Sequence, residues 1–443
     1  MLITQKNEKT SFRAESRNPF AICQFFFVPL QNITTKLNKT MKKQLLFVCL
    51  FLFCAMGKAQ ITINTAQIEA FHNLMQYIEQ KAGRTLSCEC LEGVDLQAVF
   101  DKNSQDSTLN VLIENLLNSS PYYLPERLRF VGVWLTDDGE ATAQGKHAYR
   151  IAFTILPDFC VRISGRMSET WIQYWNHEDR NQVDNSIGEL KANQKEIIKN
   201  AKPGIKALLP DDVDMNAEIN IHIITAGNAG DHMFGNDIMM DMIWWVLYES
   251  FDISRFTKVL KHEIHHVFYI PWLAERFGNK ERNLGERLLW RYQESFILEG
   301  VASFFDFPLS SPEGKQMFAN RELIAELFDE WTTVIRGLMG DSPRKYFSIF
   351  QNEWGPVSVE RLKRFWPGDP DSIVFAGRPT VTYSVSHNIY LSILESGGHE
   401  KLKFVIENPA KLLSVFNELH TECMIVPRVP DDIVVLWKNN LTP

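Results

Sequence analysis

Apolar residues fall at two different spacings along the chain, and the spacing changes several times. Over residues 66–81 they recur at Ile68, Phe71, Leu74, Met75 and Ile78, which places them on one face of a helix. Residues 94–117 continue in the same style. Residues 128–165 instead carry short β-prone runs, at 130–135 and 149–155, on either side of the turn-forming Asp137-Asp138-Gly139. A polar, charged helix is predicted over 187–209. Residues 218–225 then alternate strictly, as a half-buried strand does, and 237–245 form a second strand-like run after a glycine-rich loop at 226–230. Asp252 is a good N-cap for a helix that should run to Tyr269 and stop before Pro271. Further helices are predicted over 284–305, 321–338, 357–365, 384–395 and 402–407. The pattern is that of a predominantly helical α+β protein.

The N-terminus follows a different logic. After forty residues without amphipathic period, Met41-Lys42-Lys43 precede an apolar run over 45–56 that ends in Gly57-Lys58-Ala59-Gln60. A charged start, a short apolar run and small residues at its end are the parts of a secretory signal peptide. The run is short for a permanent bilayer span. Residues 1–59 therefore read as a leader, with 1–40 an over-long start, 41–59 the signal peptide and Gln60 the first mature residue. The alternative is an N-terminal anchor. Phe53 precedes Cys54 where lipid attachment wants a small residue, so cleavage is favoured over lipidation. The expectation is an exported protein, periplasmic or secreted, with no stable membrane span once the leader is removed. The remaining chain divides at Pro210-Asp211-Asp212 into a mainly helical region with short strands, 60–210, a core at 211–310, and a helical region at 311–443.

Composition narrows the partners. With 443 residues, 45% hydrophobic and 23% charged, the chain is an ordinary globular protein. A net charge of −8 and the lack of any Lys/Arg-rich tract exclude nucleic acid, which needs a clustered basic footprint. Four cysteines follow Gln60: Cys88, Cys90, Cys160 and Cys423. Cys88 and Cys90 are too close for an unstrained bond, and no second Cys/His pair completes a metal site near them. Isolated thiols or one long-range disulfide are expected.

The chemistry concentrates at His262-Glu263-Ile264-His265-His266. Histidines at i and i+4 of a helix lie one turn apart on one face, so both imidazoles can reach one ion. Glu263, next to the first histidine, can take a proton from a water on that ion. A catalytic zinc has three protein ligands and one open position. The candidate third ligand is Glu299, a charge set among Phe296, Ile297, Leu298, Val301, Phe304 and Phe305, where an unpartnered carboxylate would be costly. Glu294 is the runner-up. Gly300 and Ala302 would let the Glu299 helix pack closely on the histidine helix. His265 points about 100° away from the ligand histidines and is assigned to the surround of the site or to the surface. An oxyanion formed on a carbonyl also needs a donor. Tyr383 and His387, at i and i+4, are candidates, although each alone reads as readily as packing or capping. His222 and His232 carry weaker claims, and Trp244, Trp245 and Tyr248 read as core or cleft wall.

His-Glu-x-x-His followed by Glu-Gly-x-Ala on the next long helix resembles the gluzincin metallopeptidases, and among them exported zinc-dependent peptidase families without characterised members. The likeness covers roughly residues 218–306. It implies a zincin-like core: a small mixed or antiparallel sheet whose edge strand, at 238–245, packs on the histidine helix and binds an extended peptide. It implies Zn2+ on His262, His266 and Glu299, with Glu263 as general base and a peptide or protein as substrate. The spacing to Glu299 exceeds that of the best-known gluzincins. Ser303 stands where they carry an aspartate four residues after the glutamate ligand, and Asp306 can substitute. The expected function is a zinc-dependent peptidase in which Glu263 assists attack of a zinc-bound water. Two other readings stay open: a non-catalytic exported binding protein that keeps a zinc site, and a zinc hydrolase of non-peptide bonds.

Overall fold

The computed structural model describes residues 61–87, 94–120, 142–158, 167–176, 180–225, 232–247, 251–306, 319–346 and 381–442. All of them belong to one unit, Ala59–Pro443. The expected leader, the strand at 130–135, the loop at 226–230, the helix at 357–365 and Cys88, Cys90 and Cys160 lie outside the described residues. Cys423 is an exposed free thiol.

In chain order the unit begins with β1 (Ile61–Asn64), α1 (Ala66–Ala82), α2 (Leu96–Asn103), α3 (Ser107–Asn118), α4 (Ala143–Ile155), α5 (Met167–Trp175) and α6 (Arg180–Ala201). A 3-10 turn at Ile205–Leu208 leads to β2 (Ile219–Ile224), β3 (His232–Phe234), β4 (Asp237–Asp241) and α7 (Met242–Leu247). The long helices α8 (Ile253–Leu273), α9 (Leu284–Asp306) and α10 (Arg321–Leu338) follow. A π turn at Val381–Val385 opens α11 (Ser386–Glu407), and α12 (Leu412–Leu419) and α13 (Asp431–Leu441) end the chain. The protein is α+β and predominantly helical, as the periodicity indicated.

The sheet is small and mixed, in the order β1-β2-β4-β3. β1, β2 and β4 are parallel, and β3 runs antiparallel to β4 at the edge. It joins chain from both sides of Pro210, since Ile61 pairs with Ile219. One face is apolar, with Ile219, Ile221 and Ile223 fully buried. The other carries a polar row: Thr62 Oγ1 donates to Asn220 Oδ1 at 2.8 Å, and Asn220 Nδ2 donates to Asp237 Oδ1 at 3.0 Å.

Three local expectations are corrected. The edge strand is β3, not the run at 238–245, because Gly235 (φ +60°) and Asn236 form a two-residue hairpin that folds His232–Phe234 onto β4. The run itself stays extended only to Asp241, whose carboxylate accepts the Ile243 N–H at 3.1 Å and starts α7. Residues 149–155 are helix, not strand. Thr142 caps α4 at Gly145 N (3.1 Å), and Tyr149, Ala152 and Phe153 form a buried helical stripe with Phe153 stacked on Trp171 at 4.5 Å. Pro271 does not end α8. It sits on the exposed face of the last turn, where its missing N–H costs one bond of the helix. Its neighbours anchor the turn from inside: Tyr269 donates to the Ile406 carbonyl at 2.7 Å and Trp272 Nε1 to Asp212 at 2.8 Å. The helices expected at 384–395 and 402–407 are both present within Ser386–Glu407, separated by the non-helical backbone of Gly398 (φ +74°).

Candidate metal centre

The site is built on α8, α9 and the π turn before α11. Asp252 caps α8, accepting the Arg255 N–H at 3.0 Å, and the buried apolar stripe Phe256, Leu260, Ile264 and Val267 fixes the rotation of the helix. That rotation turns His262, Glu263 and His266 inward, and all three are buried. α9 brings Glu299 to them, and its own interior is equally apolar, with Phe296, Ile297 and Val301 fully buried.

Three ligand atoms converge. His262 Nε2 lies 3.0 Å from Glu299 Oε2, His266 Nε2 lies 3.4 Å from the same oxygen, and the two Nε2 atoms are 3.0 Å apart. Zinc bonds of about 2.0–2.1 Å in a tetrahedron place neighbouring ligand atoms about 3.3–3.4 Å apart, so this triangle is close to the size of a zinc-binding face. Two imidazole nitrogens aimed at each other beside a carboxylate also make a poor hydrogen-bond set and a good donor set for one cation. Among the described residues no fourth His, Cys, Asp or Glu joins the group.

The surroundings orient the ligand candidates. Asp306 Oδ1 sits 3.1 Å from His262 Nδ1, which directs the Nε2 lone pair inward. Asp306 thus stands where Ser303 cannot; Ser303 donates to the Glu299 carbonyl at 2.6 Å within its own helix. Burial opposes charge on the His262 ring, yet Asp306 and Glu299 together hold its pKa well above the usual imidazole value. Burial likewise opposes ionisation of Glu299, and His266 and His262 outweigh it, so the carboxyl is held far below its ordinary range. The centre is a buried anionic pocket suited to a cation.

Tyr383, in the π turn, reaches this centre. Its ring lies over His262 at 6.3 Å and 25°, and its hydroxyl hydrogen-bonds Glu299. Burial, then Glu299 and Glu263, raise its pKa well above the ordinary phenol value, so it stays a donor. His387, one turn on, packs against α9 instead, with its ring 5.0 Å from Phe304 and an N–H donated to the Gly300 carbonyl. Burial pushes its pKa down to about 4.

One expectation for the site is overturned and one is narrowed. Of the two places open to His265, the surface is excluded. His265 is fully buried, with Nε2 3.0 Å from the Leu208 carbonyl and its ring 5.1 Å from Tyr269, which ties α8 to the Ile205–Leu208 turn. Gly300 does not serve contact with the histidine helix. A Cβ there would lie 1.9 Å from Ser386 Oγ and 2.8 Å from Tyr390 Cδ2, so it serves the approach of α11. Glu294 lies outside the ligand group. His222 belongs to the polar sheet face, 3.2 Å from Asp237, and Trp245 is core beside Phe256. Ser386, whose Oγ donates to the Phe296 carbonyl, had no signal of its own in the sequence.

No curated protein and no solved structure matches this chain. A family model described as "Putative zinc dependent peptidase (DUF5700)" matches residues 146–422, a stretch that contains every ligand of the centre. That match spans more than half of the 443 residues, and the chain belongs to this zinc-dependent peptidase family.

Proposed function

We propose that the protein hydrolyses peptide bonds at a zinc held by His262, His266 and Glu299, with Glu263 as general base. The observation that carries this reading is the three-ligand triangle with Glu263 buried beside it on the same helix. A structural zinc is closed by four protein ligands and needs no neighbouring carboxylate. Bound zinc would supply Lewis acidity at the scissile carbonyl and lower the pKa of a water in its open position.

The chain's own residues do the rest. Glu263 takes a proton from the attacking water as the oxygen adds to the carbonyl carbon, and returns it to the amine nitrogen as the C–N bond breaks. Tyr383, kept protonated, turns its single O–H from Glu299 to the developing oxyanion. Asp306 holds His262 in one tautomer and orientation. Among the described residues strand β3 is the outer strand of the sheet beside α8, and an extended peptide can add to it through main-chain hydrogen bonds. With the leader read from residues 41–59, the enzyme works outside the cytoplasm. Among the described residues no helix is long and apolar enough to cross a membrane.

The test is Glu263→Gln, assayed on a mixed peptide library with zinc content measured alongside. The variant should keep about one zinc per chain and lose turnover by about 10²–10⁴-fold. Unchanged cleavage, or loss of the metal itself, would remove Glu263 from its assigned role.

A further inference from the structure

We infer that the first turn of α11 is a positioning clamp for Glu299, built from Ser386 and His387, and that residue 300 is glycine so that this clamp can close. The inference rests on the zinc site proposed above and adds to it the residues that fix its third ligand.

The contacts fall on one face of α9. Ser386 Oγ donates to the carbonyl of Phe296, His387 donates to the carbonyl of Gly300, and the His387 ring meets Phe304 at 5.0 Å. Residues 296, 300 and 304 are spaced by one helical turn each, so α11 grips two successive turns around Glu299. Both gripping side chains are buried, Ser386 at 0% and His387 at 4% exposure. Three residues before Ser386, Tyr383 bonds the Glu299 carboxylate itself. One short stretch of chain therefore holds the backbone of the ligand-bearing turn and touches the ligand.

Ordinary helix packing would not need this chemistry. Two apolar faces could meet at this spot at normal distance. Instead the helices approach so closely that a Cβ at Gly300 would lie 1.9 Å from Ser386 Oγ, 2.9 Å from Ser386 Cβ and 2.8 Å from Tyr390 Cδ2. The obstruction comes from two residues, so no single rotamer change relieves it. A methyl there would push α11 and α9 apart, and with them Tyr383 and Glu299. A metal site tolerates little such displacement, because ligands must be held within about 0.5 Å.

The experiment uses cobalt(II) as the probe on the purified full chain, measuring affinity by chelator competition and geometry by the visible absorption bands. Gly300→Ala should weaken cobalt binding by about tenfold or more and shift the bands. Adding Ser386→Gly to it removes the nearest obstruction and should recover part of both. His387→Leu removes the donor to Gly300 while filling the space, and should weaken binding several-fold; His387→Gln, which can still donate, should recover most of that loss. If Gly300→Ala does not fold, the Leu and Gln variants at 387 decide alone. Wild-type affinity and spectrum in Gly300→Ala and His387→Leu would overturn the clamp and leave the zinc site standing. A wild-type chain that binds neither cobalt nor zinc would overturn the site, and the clamp with it.

Discussion

At the scale of single residues, the proposed centre would depend on groups outside the ligand triangle. Asp306 is the clearest. It lies 3.1 Å from His262 Nδ1, and removing such an outer partner typically weakens metal binding about 10- to 100-fold. Asp306→Asn should therefore bind zinc about that much more weakly, by competition titration, with the circular dichroism spectrum unchanged; wild-type affinity would show that His262 needs no such partner. His387 gives a pH prediction. Its folded pKa, about 4, lies below the unfolded value of 6.5, so between those values the unfolded chain binds the proton that the folded chain refuses. Stability is full above about pH 6.5 and falls as pH drops toward 4, by on the order of 3 kcal/mol for this group. His265, also held neutral by burial, adds to the loss. In chelator, urea midpoints of His387→Gln should fall less between pH 7 and 4.5 than those of the parent. Equal losses would mean that His387 is not buried as a neutral ring. The members of the candidate ligand group were legible in the sequence for two reasons: one helical turn fixes the spacing of His262 and His266, and a lone carboxylate in an apolar stretch, Glu299, needs a partner. Ser386 was not, because a serine that bonds a carbonyl 90 residues away leaves no local pattern.

At the scale of elements, helices with a continuous apolar stripe matched their sequence signals closely: Arg321–Leu338 has the predicted bounds, and Ala66–Ala82 and Leu284–Asp306 end within a residue of them. Two of the misses share a cause, which is tertiary contact overriding local preference. Residues 149–155 are β-prone in isolation, but their helix buries Tyr149 and Phe153 against Trp171. Pro271 should stop a helix, but Tyr269 and Trp272 are pinned on its other side. The edge strand was missed although Phe234-Gly235-Asn236-Asp237 contains a two-residue hairpin signal. Elements also meet at glycines. A Cβ at Gly285, in the first turn of α9, would lie 2.4 Å from the Leu338 carbonyl at the end of α10. Backbone cannot rotate away as a side chain can, so Gly285→Ala should destabilise by about 1–3 kcal/mol as an overpacking change, visible as a lowered thermal midpoint. A midpoint equal to the parent's would show that α9 and α10 separate freely there.

At the scale of the whole molecule, the centre is where distant stretches of chain come together. In the proposed centre α8 supplies two ligands and the base, α9 the third ligand and Asp306, and the π turn before α11 the tyrosine, 121 residues beyond His262. The C-terminal helices brace this arrangement from behind. Gln293 donates to the Trp437 carbonyl at 3.0 Å, Asn440 donates to Gln293 at 2.8 Å, and the Trp437 ring packs 5.3 Å from Phe296. These connections are long-range in sequence, which is why the role of the C-terminal region was invisible before the fold. The central claim is that this assembly is a zinc site. It is tested most directly by the metal content of the purified protein beside His262→Ala and Glu299→Ala. The account predicts about one zinc per chain in the parent and none retained by either variant. A parent chain that takes up no zinc when it is offered, or variants that keep the metal, would contradict it.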